Sequence, residues 1–288
     1  MTALRLATRG SRQAVAQATT VAESITAATG RPVELVLVET TGDVRLDVPL
    51  HTIGGQGVFV KEVQAAVLDG RADLAVHSAK DLQSAPTDGL TIAAYCVRRD
   101  PADALVGRSL ADLAAGATVA TGSVRRRAQL SRARPDLHFV ELRGNIDSRL
   151  SKIPEGGAIV MAVAALDILS MTDRIAERLD VDTFVPAVGQ GCVAVECRDG
   201  DDDTLTAVVQ VDHAPTRHAV EVERAFLGQL GSGCSLPVGG HVRDGRLTVF
   251  LADVAAGQSI IAGVDLVGGD EDLAIARRAA LGAHEALG

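Results

Sequence analysis

Arginine recurs at three places where an apolar, strand-like run gives way to a helix-like one. These are "LATRGSR" with Arg9 and Arg12, "ATGSVRRR" with Arg125, Arg126 and Arg127, and "ELRGNIDSR" with Arg143 and Arg149. A helix N-terminus already presents free N–H groups and about half a positive charge, so cations in its first turn are unfavourable by up to ~1 kcal/mol each. An anion bound there reverses the sign, because dipole and guanidinium forks then act together. At any one junction, solvated arginines or pairs with Asp and Glu are the alternative. Three of the same design point to a ligand carrying several carboxylates or phosphates. A further strand end, "ADLAVHSAKDL", sets Lys80 beside Asp81, a step that by itself is ordinary polar loop chemistry. Lastly, "GQLGSGCSLPVGG" (228–240) places Cys234 among glycines. A thiolate there is accessible to an electrophile, although the local stretch alone reads more simply as an incidental thiol.

The elements around these residues alternate. "LRLA" (4–7) predicts a strand, Ser11 caps an Ala-rich helix that stops at Gly30, and "VELVLVET" (33–40) predicts a second strand. Residues 41–57 carry glycines at 42, 54, 55 and 57 without any sustained period and read as a mobile loop. "VFVKEVQAAVLDG" follows as a helix, then the short strands "ADLAVHS" (72–78) and "LTIAAYCV" (90–97), and "RRDPAD" (98–103) reads as a hinge. A second set then runs "ATVATG", a helix from Ser123, "LHFVELRG", a helix from about Asn145, and "GAIVMAVAAL". Repetition of strand, crossover helix and parallel strand is the signature of an α/β sheet, whose ligands bind at strand-to-helix junctions. From about 241 short strands and a helix from about 271 predict a small α+β part.

Composition narrows the partners. A chain of 288 residues is long enough for two or three domains. Its net charge of −9 and 2% aromatic content argue against nucleic acid, so any anion must be held by local basic clusters. No apolar run approaches the ~20 residues of a membrane span. The cysteines at 96, 192, 197 and 234 form no CxxC pair, no metal site is expected, and "MTALRLATRGS" lacks a signal-peptide core, so a cytoplasmic protein with free thiols is expected. P-loop, GxGxxG, HExxH and GxSxG motifs are absent.

Nine collinear segments, "ATRGSRQAVAQ", "TTGDVRLDVPL", "GQGVFVKEV", "RADLAVHSAKDL", "TGSVRRRAQL", "ELRGNIDSRLSK", "PAVGQGCVAVECR", "VERAFL" and "GSGCSLPVGG", resemble the hydroxymethylbilane synthase (porphobilinogen deaminase) family. The resemblance is looser over the last 45 residues. It implies a transferase that joins four porphobilinogen molecules head to tail with release of four ammonia, then hydrolyses off the linear hydroxymethylbilane used in tetrapyrrole and heme biosynthesis. A dipyrromethane cofactor joined by thioether to Cys234 primes the chain. Each porphobilinogen carries an acetate and a propionate, which arginine forks suit better than lysines do. The resemblance further implies Asp81 as the catalytic carboxylate. Lys80, Ser123, Arg125, Arg126 and Arg143 then hold the cofactor, and Arg9, Ser11, Phe59, Asn145, Arg149 and Gln190 the substrate. His77 and Arg224 are weaker candidates. Two departures stand out: Gln56 and Ile168 replace basic residues common in the family, with Arg127 and Arg174 as substitutes.

The implied architecture is two periplasmic-binding-protein-like α/β domains facing a cleft plus a small α+β C-terminal domain. Domain 1 is 1–97 and 190–211, domain 2 is 98–189, and domain 3 is 212–288. A monomer is expected, with porphobilinogen as its partner and neither nucleic acid nor membrane. The rival readings are a non-enzymatic two-lobed anion-binding protein, a cysteine acyl transferase or hydrolase using Cys234, and an RNA binder using "RRR".

Overall fold

The computed structural model describes residues 2–40, 57, 59–231 and 237–287. The stretch expected to be a mobile loop, apart from Gly57, and the segment holding Cys234 lie outside the described residues. The chain divides into two compact units, residues 1–99 with 192–217, and residues 100–191 with 218–288.

In the first unit, β1 (Leu4–Arg9) leads through Ser11 into α1 (Arg12–Thr29). Ser11 Oγ accepts from Ala14 N at 3.3 Å, and the helix ends at Gly30 with φ of 69°, a left-handed conformation that glycine adopts without strain. β2 (Val33–Val38), α2 (Lys61–Leu68), β3 (Leu74–Ser78) and β4 (Leu90–Tyr95) follow. The second unit contributes β5 (Asp103–Val106), β6 (Thr118–Ala120), α3 (Val124–Ala133), β7 (His138–Val140), α4 (Ile146–Leu150), β8 (Ala158–Ala162), α5 (Val163–Asp167) and β9 (Ile175–Arg178). The chain then returns to the first sheet as β10 (Val193–Arg198), followed by α6 (Asp202–Val208) and α7 (Ala214–Gln229). Three antiparallel strands, β11 (Val238–Arg243), β12 (Arg246–Asp253) and β13 (Gln258–Asp265), and α8 (Glu271–Glu285) complete it.

The two larger sheets share one plan. Their orders are β2-β1-β3-β10-β4 and β7-β6-β8-β5-β9. In each, the strand that follows a crossing between units is inserted antiparallel between the third and fourth strands. Both sheets are therefore mixed, and the reason is geometric. The chain re-enters at the C-terminal edge, where Val193 pairs with Ser78 and Asp103 with Ala162, so it must run back against its neighbours. Both are α/β domains, each with an apolar core on both faces of its sheet. The third sheet packs its own core against α7 and α8 through Val222, Phe226, Val249, Leu251 and Ala276. Three strands are not evident from local pattern: β5 and β9, four residues each, and β11, which opens with Val238-Gly239-Gly240.

Candidate active site

Parallel pairing brings the sequence-predicted groups of the first unit to one edge. β1 and β3 are neighbours in register, with Leu6 against Leu74 and Ala7 against Ala75, so Arg9 and Ser11 leave the sheet beside Ser78, Lys80 and Asp81. Lys80 and Asp81 lie in a single 3₁₀ turn, Ala79–Asp81, both half-buried. Arg9 stacks on Phe59, its guanidinium carbon 4.0 Å from the ring centroid, which orients the fork. His77 is a core residue. Its Nε2 lies 3.0 Å from Glu196 Oε2, and Gln64 donates to both oxygens of that carboxylate.

The second unit repeats the arrangement. β6 and β7 run parallel with Ala120 against Val140, so the junctions bearing Ser123 and Asn145 emerge together. Their approach is close enough to need glycine: a Cβ on Gly122 would sit 2.7 Å from Glu141 Oε1 and 2.8 Å from the Leu142 carbonyl. Ser123 caps α3 by accepting from Arg126 N, and Asn145 caps α4 by accepting from Ser148 N. Arg149 Nε donates to the Gly144 carbonyl at 2.7 Å and Lys152 Nζ to the Arg143 carbonyl at 3.1 Å, which wraps two cations around this junction. Arg127 is exposed over the Phe139 ring at 5.9 Å, and Arg174 is exposed in a 3₁₀ turn. Ile168 is half-buried after α5, and Gln56 lies outside the described residues.

Arg125 and Arg126 are not surface forks. They are 5% and 9% exposed and share one carboxylate, Asp103, which is 2% exposed. Arg125 Nη2 lies 2.8 Å from Asp103 Oδ2, and Arg126 reaches Oδ1 from Nε at 3.0 Å and Nη2 at 2.7 Å. Gln190 donates to the same oxygen at 2.8 Å and to the Pro101 carbonyl at 2.7 Å. Burial alone would raise the Asp103 carboxyl, but the two guanidiniums and their hydrogen bonds hold it well below the usual carboxylate range. Burial, opposed by Asp103 and reinforced by Arg126, lowers Arg125. Among these three residues, two positive charges face one negative. Such an excess in a buried place favours a further anion. A dipyrromethane, with two carboxylates on each ring, fits that chemistry together with the half-buried Arg143 and Arg149 at the adjacent junction.

Asp103 is the residue that sequence reasoning misses. "RRDPAD" reads as a hinge, and nothing local says that its last carboxylate turns inward. The three-residue apolar run that follows it, Ala104-Leu105-Val106, is the one signal available. Cys96 and Cys197 are strand-end thiols whose pKa is pushed up to about 11, chiefly by burial, so neither is an ionised nucleophile near neutral pH, and Cys192 is buried.

The family model described as "Porphobilinogen deaminase, dipyromethane cofactor binding domain" matches residues 4–206. The porphobilinogen deaminase of Syntrophotalea carbinolica is 46% identical over 260 residues, which cover 88% of this chain and 82% of that protein. That of Thermobifida fusca is 47% identical over 263 residues, with the same two shares. A probable porphobilinogen deaminase of Methanopyrus kandleri is 47% identical over 246 residues, 83% of each chain. Among solved structures, immunogenic lipoprotein A of Vibrio vulnificus is 13% identical with a TM-score of 0.46, covering 76% of this chain and 99% of that one. With its paired arginine-bearing sheet edges and a match over most of its length, the chain belongs to the porphobilinogen deaminase family.

Proposed function

We propose that this protein is a hydroxymethylbilane synthase that condenses four porphobilinogen molecules, releases four ammonia and hydrolyses off the linear tetrapyrrole. The observation that carries this reading is the family match over residues 4–206, the cofactor-binding part. A bound dipyrromethane supplies a free pyrrole carbon as the end on which the chain grows. Cys234 is its anchor, since the other three cysteines are buried or half-buried. Ser123, Arg125, Arg126, Arg143 and Lys80 hold the cofactor carboxylates, and Arg9, Ser11, Phe59, Asn145, Arg149 and Gln190 bind and orient porphobilinogen.

Asp81 acts on the reacting atoms. Loss of ammonia from the aminomethyl group leaves a cationic methylene-pyrrole, and a fixed carboxylate beside it stabilises that charge. Its oxygens then accept the proton that the attacking pyrrole carbon must lose. The half-buried turn that carries Asp81 sits at the same sheet edge as Arg9, which supports this role. We also propose the three-part division 1–97 with 190–211, 98–189 and 212–288, in which the separate core of the third sheet supports the last part. A cytoplasmic monomer without nucleic-acid or membrane partners is the expected form. No described helix is long and apolar enough to cross a membrane.

The test is incubation of purified protein with porphobilinogen, followed by oxidation and a search for the uroporphyrin chromophore, with intact-mass measurement on unfolded protein. The expected result is the chromophore together with a two-pyrrole adduct mapped to Cys234. No chromophore overturns the activity, and an adduct on Cys96, Cys192 or Cys197 overturns the anchor.

A further inference from the structure

Glu223, in the middle of α7, is a carboxylate with 0% exposure that touches two other segments. Its Oε2 accepts from Gly189 N at 2.8 Å and its Oε1 from Val242 N at 2.8 Å, while His241 Nδ1, on a residue 5% exposed, lies 3.3 Å from Oε1. Gly189 belongs to the segment 185–190 that precedes the return to the first sheet. Val242 and His241 belong to β11.

That short segment is gripped along its whole length. At Val185 the carbonyl accepts from Arg125 Nη1 at 2.7 Å and Gln129 Nε2 at 3.0 Å, and the Val185 N–H donates to Gln129 Oε1 at 2.6 Å. At Gln190 the side chain ends on Asp103. β11 lies directly against it: Gly240 N donates to the Pro186 carbonyl at 3.0 Å, and a Cβ on Gly239 would stand 2.7 Å from the Val185 carbonyl and 3.0 Å from that of Pro186. Residues 185–190 are therefore one strut held by the Arg125–Arg126–Asp103 cluster on one side and by the third sheet on the other. In sequence, Cys234 falls between α7 and β11, the two elements that Glu223 joins.

We infer that Glu223, with His241, is a positioning residue for the reaction: it locks the elements flanking the cofactor cysteine to the strut that also holds the arginine pair. This rests on the reading of Cys234 as the cofactor anchor. The physical reason is that a tethered chain reacts at a rate set by where its tether begins, and misplacement by about an ångström costs up to ~10²-fold. A buried carboxylate accepting backbone N–H bonds from two separate segments sets their spacing more rigidly than apolar packing, which tolerates sliding.

Glu223→Gln keeps the volume but faces one of the two N–H groups with an NH₂. The expected result is protein that still carries the adduct on Cys234 by intact mass. Amide exchange at Gly189 and Val242 quickens, and kcat falls roughly tenfold or more while KM is little changed, with an altered distribution of one-pyrrole increments. Val264→Ala, on β13 and packed against the core of the third sheet with β12 between it and β11, serves as a control for general loosening and leaves that distribution as in the wild type. Gly239→Ala provides a second route, because it pushes β11 off the strut without touching Glu223, and the same slowing is expected. Wild-type increments and turnover in Glu223→Gln or Gly239→Ala overturn the inference, as does an equal change in Val264→Ala. Absence of the adduct from Cys234 in the wild type is a separate outcome: it removes the anchor reading itself, and the inference with it.

Discussion

The two large sheets share one strand order and one edge for their charged residues, yet they treat charge in opposite ways. At the first sheet's edge, Arg9, Lys80 and Asp81 stay half-buried, and the ring of Phe59 holds Arg9 from its face. At the second sheet's edge, Arg125 and Arg126 are sunk onto Asp103 and tied through Gln190 to both crossing segments. The first edge keeps its charged groups partly exposed, as the proposed roles of Asp81 and Arg9 require. The second is built to stay as it is. Its arginines also bond the Val160 and Val185 carbonyls, so they brace β8 and the strut while contributing an excess of positive charge. One edge leaves its charges partly exposed, and the other buries them.

Removing one carboxylate from each edge separates these roles. Asp81→Asn is expected to lower turnover by about 10²–10⁴-fold, with the adduct on Cys234 retained and the thermal midpoint little changed. Steady-state assay and intact mass on the same preparation check it, and near-normal turnover would remove Asp81 from the chemistry.

Asp103→Asn should do the reverse, costing stability first. It leaves two buried guanidiniums without their shared charge, a change on the order of 3–5 kcal/mol. The pH dependence has a definite sign. Because Asp103 is depressed in the folded state, its contribution is complete above the unfolded carboxyl value near ~3.9 and is lost as pH falls towards the lower folded value. The gap in thermal midpoint between wild type and Asp103→Asn should therefore be constant from pH 7 to about 5 and narrow below ~3.9. A gap that widens in acid would contradict the assignment.

The capping serines make the matched comparison. Ser11→Ala and Ser123→Ala each remove one side-chain acceptor at a helix start, and each should cost about 1 kcal/mol in denaturant titration. A much larger loss at Ser123 would show that its helix transmits strain into the Asp103 cluster. The smallest effect is expected for Phe59→Leu, which deletes the stacking surface of Arg9. A loss of ~0.5–1 kcal/mol in substrate binding corresponds to a rise of a few-fold in KM with kcat nearly unchanged. A fall in kcat alone would mean that the ring shapes the reacting centre instead of the arginine.

What was legible in the sequence followed rules that act within a turn or two. Ser11, Ser123 and Asn145 each precede a helix and each caps it, and Gly30 ends α1 as its position after an Ala-rich run predicts. The site was legible as clustered arginines plus collinear motifs. The burial of Arg125 and Arg126 was not, because a first-turn arginine reads as exposed until a carboxylate from a distant strand is known to face it. Nor was Glu223, whose partners lie 34 and 19 residues away in sequence.

The sequence by itself determined which side chains are available at each strand end, where helices begin and stop, and the family whose chemistry those motifs carry. These depend on local backbone preferences and on residue identity, both of which are written in order along the chain. Only the tertiary structure decided that β5 and β10 run backwards into their sheets, that Asp103 thereby arrives between two guanidiniums, and that Glu223 ties β11 to residues 185–190. Each of these depends on where the chain re-enters a sheet and on which polar groups then need partners away from water, and neither quantity exists until the segments are packed together.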